Sequence, residues 1–243
     1  MLGVALMGLL ACGASFLPPS TATAPASVGE DGGVTCQPGR PILSSDVVNA
    51  RDLGGIAVGA GQAVACGVLF RGPPLVQLED TVCADCVDLG IRTIVDLRIE
   101  TERSSIPNAA CLDQFANTVS APLPIPYNVS AADYIADLDA TPSIATLFGV
   151  LGDASAYPVY FHCTWGRDRT GIVAAVVLLA LGAARADIMA DYLLSQVTVG
   201  AYPDSLQATL DEIDRRGGLE AYLSAAGVTA PQLATLRARA IAP

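Results

Sequence analysis

The sequence predicts an α/β domain: a sheet of short buried strands flanked by helices, with a helical C-terminal part. Three observations carry this. Residues 91–97 (IRTIVDL) and 158–162 (PVYFH) are short, apolar runs rich in β-branched or aromatic residues, as buried strands are. Residues 172–183 (IVAAVVLLALGA) are apolar on nearly all sides, and a helix hydrophobic all round is a buried one. Strands early, a strand, loop and helix in the middle, and helices afterwards are the order of a layered α/β fold.

The elements follow in chain order. Residues 1–17 (MLGVALMGLLACGASFL) are apolar and uncharged, and Pro18 and Pro19 then break any helix, so residues 1–26 read as a signal peptide. The run is interrupted by Gly3, Gly8 and Gly13 and falls short of the roughly 18 apolar residues of a spanning helix. Two processing routes stay open: a lipobox ending at Cys12, which would give a lipid anchor there, or cleavage after Ala24, Pro25 and Ala26. Residues 27–41, rich in Gly, Ser, Pro and acid, read as a linker, and 42–243 as the folded domain. A strand is expected over 63–70 and a helix over 75–89, with Val82, Cys86 and Leu89 on one face and Gly90 as its stop. Helices are expected at 131–139, 142–152, 185–197, 203–216, 218–225 and 230–239.

Composition narrows the chemistry. The length of 243 residues suits one catalytic-sized domain. All thirteen basic residues are arginine, which excludes Schiff-base lysines and the lysine-dependent phosphate loop of nucleotide hydrolases. His162 is the only histidine, so two-histidine metal motifs are excluded too. A net charge of -11 opposes binding to nucleic acid or to anionic membranes. The seven cysteines are at 12, 36, 66, 83, 86, 111 and 163. Export permits disulfides, and sequence order suggests Cys36 with Cys66 and Cys111 with either Cys83 or Cys86. Cys83 and Cys86 form a C-x-x-C pair with no second pair, so no metal is expected.

The informative segment is His162, Cys163, Thr164, Trp165, Gly166, Arg167, Asp168, Arg169, Thr170, Gly171, which joins a buried strand to a buried helix. A loop there points backbone N–H groups and the positive end of the helix dipole at one spot, a seat for an anion. Cys163 lies beside that seat, and the same field favours its nucleophilic thiolate form. Arg169 closes the ring with a guanidinium fork that can grip two phosphate oxygens. Adjacent strand residues point to opposite faces, so His162 braces the loop rather than activating Cys163. Thr170 is placed either to give its hydroxyl to the sulfur or to cap the helix.

The segment HCTWGRDRTG, with NARDLGG (49–55), LFRG (69–72), GIRTIVDLR (90–98), Glu102 and DYLLS (191–195), resembles the bacterial tyrosine-phosphatase family typified by mycobacterial protein tyrosine phosphatase B. The blocks occur in family order from about residue 43 to the C-terminus. The resemblance implies a cysteine-dependent phosphatase fold with a central, mostly parallel sheet, no cofactor or metal, and action on phosphotyrosine, phosphoserine, phosphothreonine or phosphoinositides. Two positions depart from the family: Arg167 stands where a lysine is usual, and Gly72 replaces a serine.

By that resemblance Cys163 is the nucleophile, Arg169 the phosphate clamp and Asp168 the general acid, with Asp96 as second candidate and Asp133 as third. Thr164, Trp165, Gly166, Arg167, Thr170 and Gly171 line the substrate site, and His162 and Asp96 support it. Arg167 is expected at the pocket mouth, holding a further phosphate, with a carboxylate pairing as the alternative; Trp165 is expected to cover a ring or acyl surface. The substrate classes are a phosphorylated protein, an inositol phosphate or a phosphoinositide, met by an exported enzyme that binds no nucleic acid. A rhodanese-like sulfurtransferase and a non-catalytic phosphate-binding module also use an anion-ringed cysteine and stay open.

Overall fold

The structure, a computed structural model, describes residues 27–28, 34–43, 47–76, 81–125, 127 and 129–242. The expected signal peptide, the lipobox at Cys12 and the alternative cleavage site lie outside the described residues. Two-residue strands β1 (Ser27–Val28) and β2 (Val34–Thr35) pair with each other. The main sheet has five strands: β3 (Arg51–Asp52), β4 (Leu69–Gly72), β5 (Thr93–Asp96), β6 (Asn117–Ser120) and β7 (Val159–His162). Their spatial order is β3, β4, β7, β5, β6, with β3 antiparallel at one edge and the other four parallel.

Alternate residues of the central strands feed two cores, as the period of two requires. Leu69, Val95, Val159 and Phe161 face the larger core and Phe70, Ile94 and Tyr160 the smaller. The smaller is covered by α1 (Thr81–Asp88) through Val82 and Cys86. The larger packs against α3 (Ala131–Asp137), α4 (Thr141–Leu151), α5 (Asp168–Leu181), α6 (Arg185–Leu193), α7 (Pro203–Arg215), α8 (Leu219–Ala225) and α9 (Ala230–Ala240). The remaining helix, α2 (Glu100–Ser105), follows β5 with no buried residue of its own. Helix α5 is buried along nearly its whole length, which is why its sequence lacks a polar face.

The register sets Gly72 and Asp96 level with His162, and Ser120 level with Asp96. Four parallel strands therefore end in one row, and their outgoing loops converge on one edge, where open α/β sheets bind ligands.

Several local expectations change. The strand expected over 63–70 is Leu69–Gly72, because Gly67 turns the chain at φ +72° while Ala63 and Val64 bridge to Ala57 and Ile241. The helix expected from residue 75 starts at Thr81; Leu75 is instead a buried core residue whose carbonyl accepts the Ala109 N–H (2.7 Å), and residues 77–80 lie outside the described residues. The helix expected over 185–197 is α-helical to Leu193 and then tightens into a 3₁₀ turn, Leu194–Val197. Nothing in the apolar pattern signals β3, which has two residues, or β6, whose NTVS is a mostly exposed edge.

Disulfides join Cys36 to Cys66 and Cys83 to Cys111. Cys86, on the same helix as Cys83, points into the core as a free thiol, and burial pushes it up to about 12. Residues 36–41, inside the stretch read as a linker, are tied down by the first disulfide and by Arg40, whose guanidinium meets Asp52 at 2.8 Å.

Candidate active site

Strand β7 delivers His162 to the converging edge, the loop 163–167 follows, and α5 begins at Asp168. The loop is held from outside by its carbonyls. Asn49 Nδ2 donates to the Trp165 carbonyl (2.9 Å), and Arg71 Nη2 donates to the Gly166 carbonyl (2.9 Å) and reaches that of Arg167 (3.5 Å). His162 Nδ1 meets the Cys163 carbonyl at 3.2 Å. With the carbonyls drawn outward, the N–H groups of residues 164–167 are left for the interior, and none donates to a backbone carbonyl among the described residues. Those groups and the open first turn of α5 form the anion seat around the buried Cys163. Gly166 makes the bend possible: it has φ +65°, and a Cβ there would lie 2.4 Å from the Gly72 carbonyl carbon. A side chain at Gly72 has no room either, since its Cβ would fall 2.2 Å from the Tyr160 hydroxyl, which donates to the Pro73 carbonyl (2.6 Å). That accounts for glycine at the position where the resembled family has serine. Gly171 likewise admits no Cβ without meeting the Tyr192 ring at 2.8 Å.

The outer support is ionic and buried. Asp191 of α6 takes Arg51 Nε at 2.7 Å and Arg71 Nη1 at 2.5 Å, and the Asn49 amide oxygen takes Arg51 Nη1 at 2.7 Å and Ser195 Oγ at 3.0 Å. Burial pushes Arg71 down to about 10, helped by neighbouring Arg51 and opposed by Asp191. Burial also pushes Asp191 up, but Arg71 and Arg51 outweigh it and hold the carboxyl below the usual range. The blocks NARDLGG, LFRG and DYLLS thus meet as one scaffold behind the loop.

On the inner side Glu102 of α2 grips Arg169 through both oxygens, each at 2.6 Å, and also accepts from Thr164 Oγ1. Arg169 Nη2 adds a contact to Thr164 Oγ1 at 3.2 Å. The fork expected to hold phosphate is therefore itself held in plane. Asp96 does not reach into the loop; it is a buried partner of Arg98 (2.9 and 2.7 Å), as carboxylates at such positions commonly are. His162 receives Asn108 Nδ2 at Nε2 (3.2 Å) and sits 3.6 Å from Asp96. Its two ring contacts fit one neutral tautomer, with Nδ1–H donating to Cys163. Burial pushes this imidazole down to about 4. Thr170 is the third residue of α5 and not its cap, and its buried hydroxyl has no hydrogen-bond partner among the described residues.

Asp168 opens α5 with three hydrogen bonds arriving at its carboxylate. Oδ1 accepts from Tyr134 Oη (2.5 Å) and Arg167 Nε (2.8 Å), and Oδ2 from Arg167 Nη2 (3.1 Å). Arg167 corrects the expectation for it. Rather than facing the pocket mouth, it folds back onto Asp168, donates to the Val199 carbonyl (2.5 Å) and lies 4.5 Å over the Tyr202 ring. A carboxylate next in sequence is the nearer partner, so pairing wins. Trp165, by contrast, stays 55% exposed beside the loop. Asp133 lies in the first turn of α3 and caps it with Ser130, away from any acid role. Tyr134, Tyr192, Glu102, Arg51, Arg71 and Asp191 carry the site's second layer. All but Tyr134 stood in the quoted blocks without a stated role, and nothing in the sequence marked Tyr134.

A buried cysteine in an outward-pinned anion loop, followed within the loop by a clamped arginine, at the C-terminal edge of a parallel sheet defines the class: an α/β protein with a cysteine-centred oxyanion site. The chain belongs to the tyrosine phosphatase family, whose profile matches residues 42–242. It is 35% identical over 182 residues to a Cupriavidus necator protein named as a candidate tyrosine-protein phosphatase, covering 65% of this chain and 64% of that one. A shorter match, 52% identical over 46 residues, is to the triple specificity protein phosphatase PtpB of Mycobacterium tuberculosis, covering 19% and 17% of the two chains. The chain thus spans less than two thirds of the length of these relatives. Among solved structures it is similar to Pseudomonas aeruginosa TpbA in complex with phosphotyrosine, at 17% identity, with 72% of this chain and 94% of that one covered and a TM-score of 0.39.

Proposed function

We propose that this protein is an exported phosphomonoesterase that works through a cysteinyl-phosphate intermediate. Phosphate oxygens settle on the loop N–H groups and the Arg169 fork, and the Cys163 sulfur attacks phosphorus as the ester P–O bond breaks. Water then attacks phosphorus, the S–P bond breaks with its electron pair returning to sulfur, and inorganic phosphate leaves. Asp168 is the carboxylate that handles protons. The observation that carries the reading is the loop itself: carbonyls of Cys163, Trp165, Gly166 and Arg167 tied outward, with Arg169 braced by Glu102. Phosphotyrosine is the leading substrate, with phosphoserine, phosphothreonine, inositol phosphates and phosphoinositides as the wider class; the names of the relatives support this breadth. Two disulfides support export, since such bonds persist in oxidising compartments.

The test is hydrolysis of p-nitrophenyl phosphate without added metal. Cys163→Ser should abolish turnover and still bind vanadate, because the N–H groups remain. Thiocyanate formation from thiosulfate and cyanide, without phosphate release, would make the protein a sulfurtransferase. Vanadate binding with no turnover by the unaltered protein would make it a phosphate-binding module.

A further inference from the structure

His162 carries one ring proton, since burial keeps its imidazole neutral, and two acceptors compete for that proton. Nδ1–H would point at the Cys163 carbonyl, 3.2 Å away, and Nε2–H would point at Asp96 Oδ2, 3.6 Å away. Left to themselves, the carboxylate would win. A charge-assisted hydrogen bond is about twice as strong as a neutral one, and a shift of roughly half an ångström would bring Asp96 into range.

Asn108 reverses that preference. Arg98 is fixed by Asp96 through Nε (2.9 Å) and Nη2 (2.7 Å) and by the Ile106 carbonyl through Nη1 (2.6 Å). The same Nη2 reaches Asn108 Oδ1 at 3.3 Å. A guanidinium can only donate, so the amide atom facing it is the oxygen, and the amide turns its Nδ2 to His162 Nε2 at 3.2 Å. With a donor already at Nε2, the ring proton belongs on Nδ1. The backbone around Asn108 is held as well: the Ala109 N–H donates to the Leu75 carbonyl (2.7 Å), and Cys111 is tied to Cys83 of α1. Polarity therefore runs one way, from Asp96 through Arg98, Asn108 and His162 to the Cys163 carbonyl, each link strengthening the next.

The last link shapes the anion seat. In a planar trans peptide the C=O and the following N–H point opposite ways, so a Cys163 carbonyl drawn out to the imidazole aims the Thr164 N–H inward. In the other tautomer the bare Nδ1 lone pair would face the carbonyl oxygen. The peptide would turn, and the seat would lose the donor next to the nucleophile.

We infer that Asn108 is a positioning residue for the phosphatase reaction: by donating to Nε2 it keeps the His162 proton on Nδ1 and the Thr164 N–H in the anion seat. This rests on the phosphatase reading above. It also gives Asp96 a part in the site, at the far end of the relay from the loop.

The experiment uses the absence of any other histidine. With histidine ring-labelled with nitrogen-15, the full chain shows one resonance for each ring nitrogen, and the shifts tell which one carries the proton. At neutral pH the unaltered protein should show a protonated Nδ1 and a bare Nε2. Asn108→Leu, close in shape but without the donor, should move the proton to Nε2. Its kcat/KM on p-nitrophenyl phosphate should fall about a hundredfold, as for one lost oxyanion donor, and vanadate should bind about tenfold more weakly. Asn108→Gln, which keeps an amide, should retain the unaltered ring pattern and most of the turnover. A residue that only filled space would leave the ring proton where it was in both variants. A proton on Nε2 in the unaltered protein, an unmoved proton in Asn108→Leu, or a moved proton with turnover and vanadate affinity unchanged overturns the inference. If the unaltered protein hydrolyses no phosphate ester, the phosphatase reading falls, and the ring resonances with vanadate affinity still decide whether Asn108 sets the seat.

Discussion

Helix α6 carries two ion-pair stations of near-identical geometry and opposite character. At its start Arg185 meets Asp211 and Asp214, each at 2.6 Å, with side chains 34%, 62% and 70% exposed. At its end Asp191 meets Arg51 at 2.7 Å and Arg71 at 2.5 Å, with all three side chains at 4% or less. Distance alone does not separate them. The exposed charges keep water as an alternative partner, whereas removing one buried charge strands the others in a medium that cannot solvate them. The buried station also holds the carbonyls that shape the anion loop, so its loss spreads to the site. Between the two stands Glu102 with Arg169, 19% and 2% exposed, where the carboxylate is partly open to water and the guanidinium fork is buried.

Removing charge at each station in turn would break or sharpen this ranking. Asp191→Asn should have the largest effect, destabilising by about 3 to 5 kcal/mol in urea unfolding, the usual cost of breaking a buried pair, together with loss of turnover. Because Asp191 is held below the usual carboxylate range, its contribution is complete above about pH 4 and fades as pH falls further. The gap between the variant and the unaltered protein should close with it. A gap that persists undiminished at pH 2 would mean that packing, not charge, is lost.

His162, buried beside the pair of Asp96 and Arg98, should have the next largest effect on stability. Its folded form resists protonation down to about pH 4, while an unfolded imidazole protonates near 6.5. Stability should therefore fall as pH drops from about 6.5 to 4, and His162→Asn should show a shallower slope over that window in thermal melts.

Glu102→Gln should separate catalysis from stability. Turnover of p-nitrophenyl phosphate should fall about tenfold to a hundredfold, as expected for a lost charge-assisted fork worth roughly 1.5 to 3 kcal/mol, while unfolding changes by no more than about 1 kcal/mol. Equal damage to both would place Glu102 with the buried station. Arg185→Gln should do least, below about 1 kcal/mol, and even that difference should vanish in 1 M salt, where screening shortens to about 3 Å.

The legible parts of this molecule are those whose cause is local. Strand 159–162 and the apolar α5 announce themselves by pattern, and the cysteine pairing was readable to within one choice. Cys83 rather than Cys86 bonds Cys111, because three residues of helical rotation turn Cys86 into the core. Polar edge β6 and two-residue β3 carry no period to read. For Arg167 the pocket mouth and a carboxylate pairing both stayed open, because sequence shows the substrate loop but not the carbonyl of Val199 or the ring of Tyr202 waiting on the other side.

The sequence by itself determined that Cys163, Gly166 and Arg169 sit on a turn between a buried strand and a buried helix, since strand period, glycine freedom and helix N-terminus act within a few residues. Only the tertiary structure decided what holds that turn and what its aspartate can do. Arg51 reaches Asp191 across 140 positions, Arg169 reaches Glu102 across 67, and Tyr134 reaches Asp168 across 34. Pairings at such separations depend on how the sheet orders its strands, and a charge or hydroxyl takes its role from whichever partner burial leaves it.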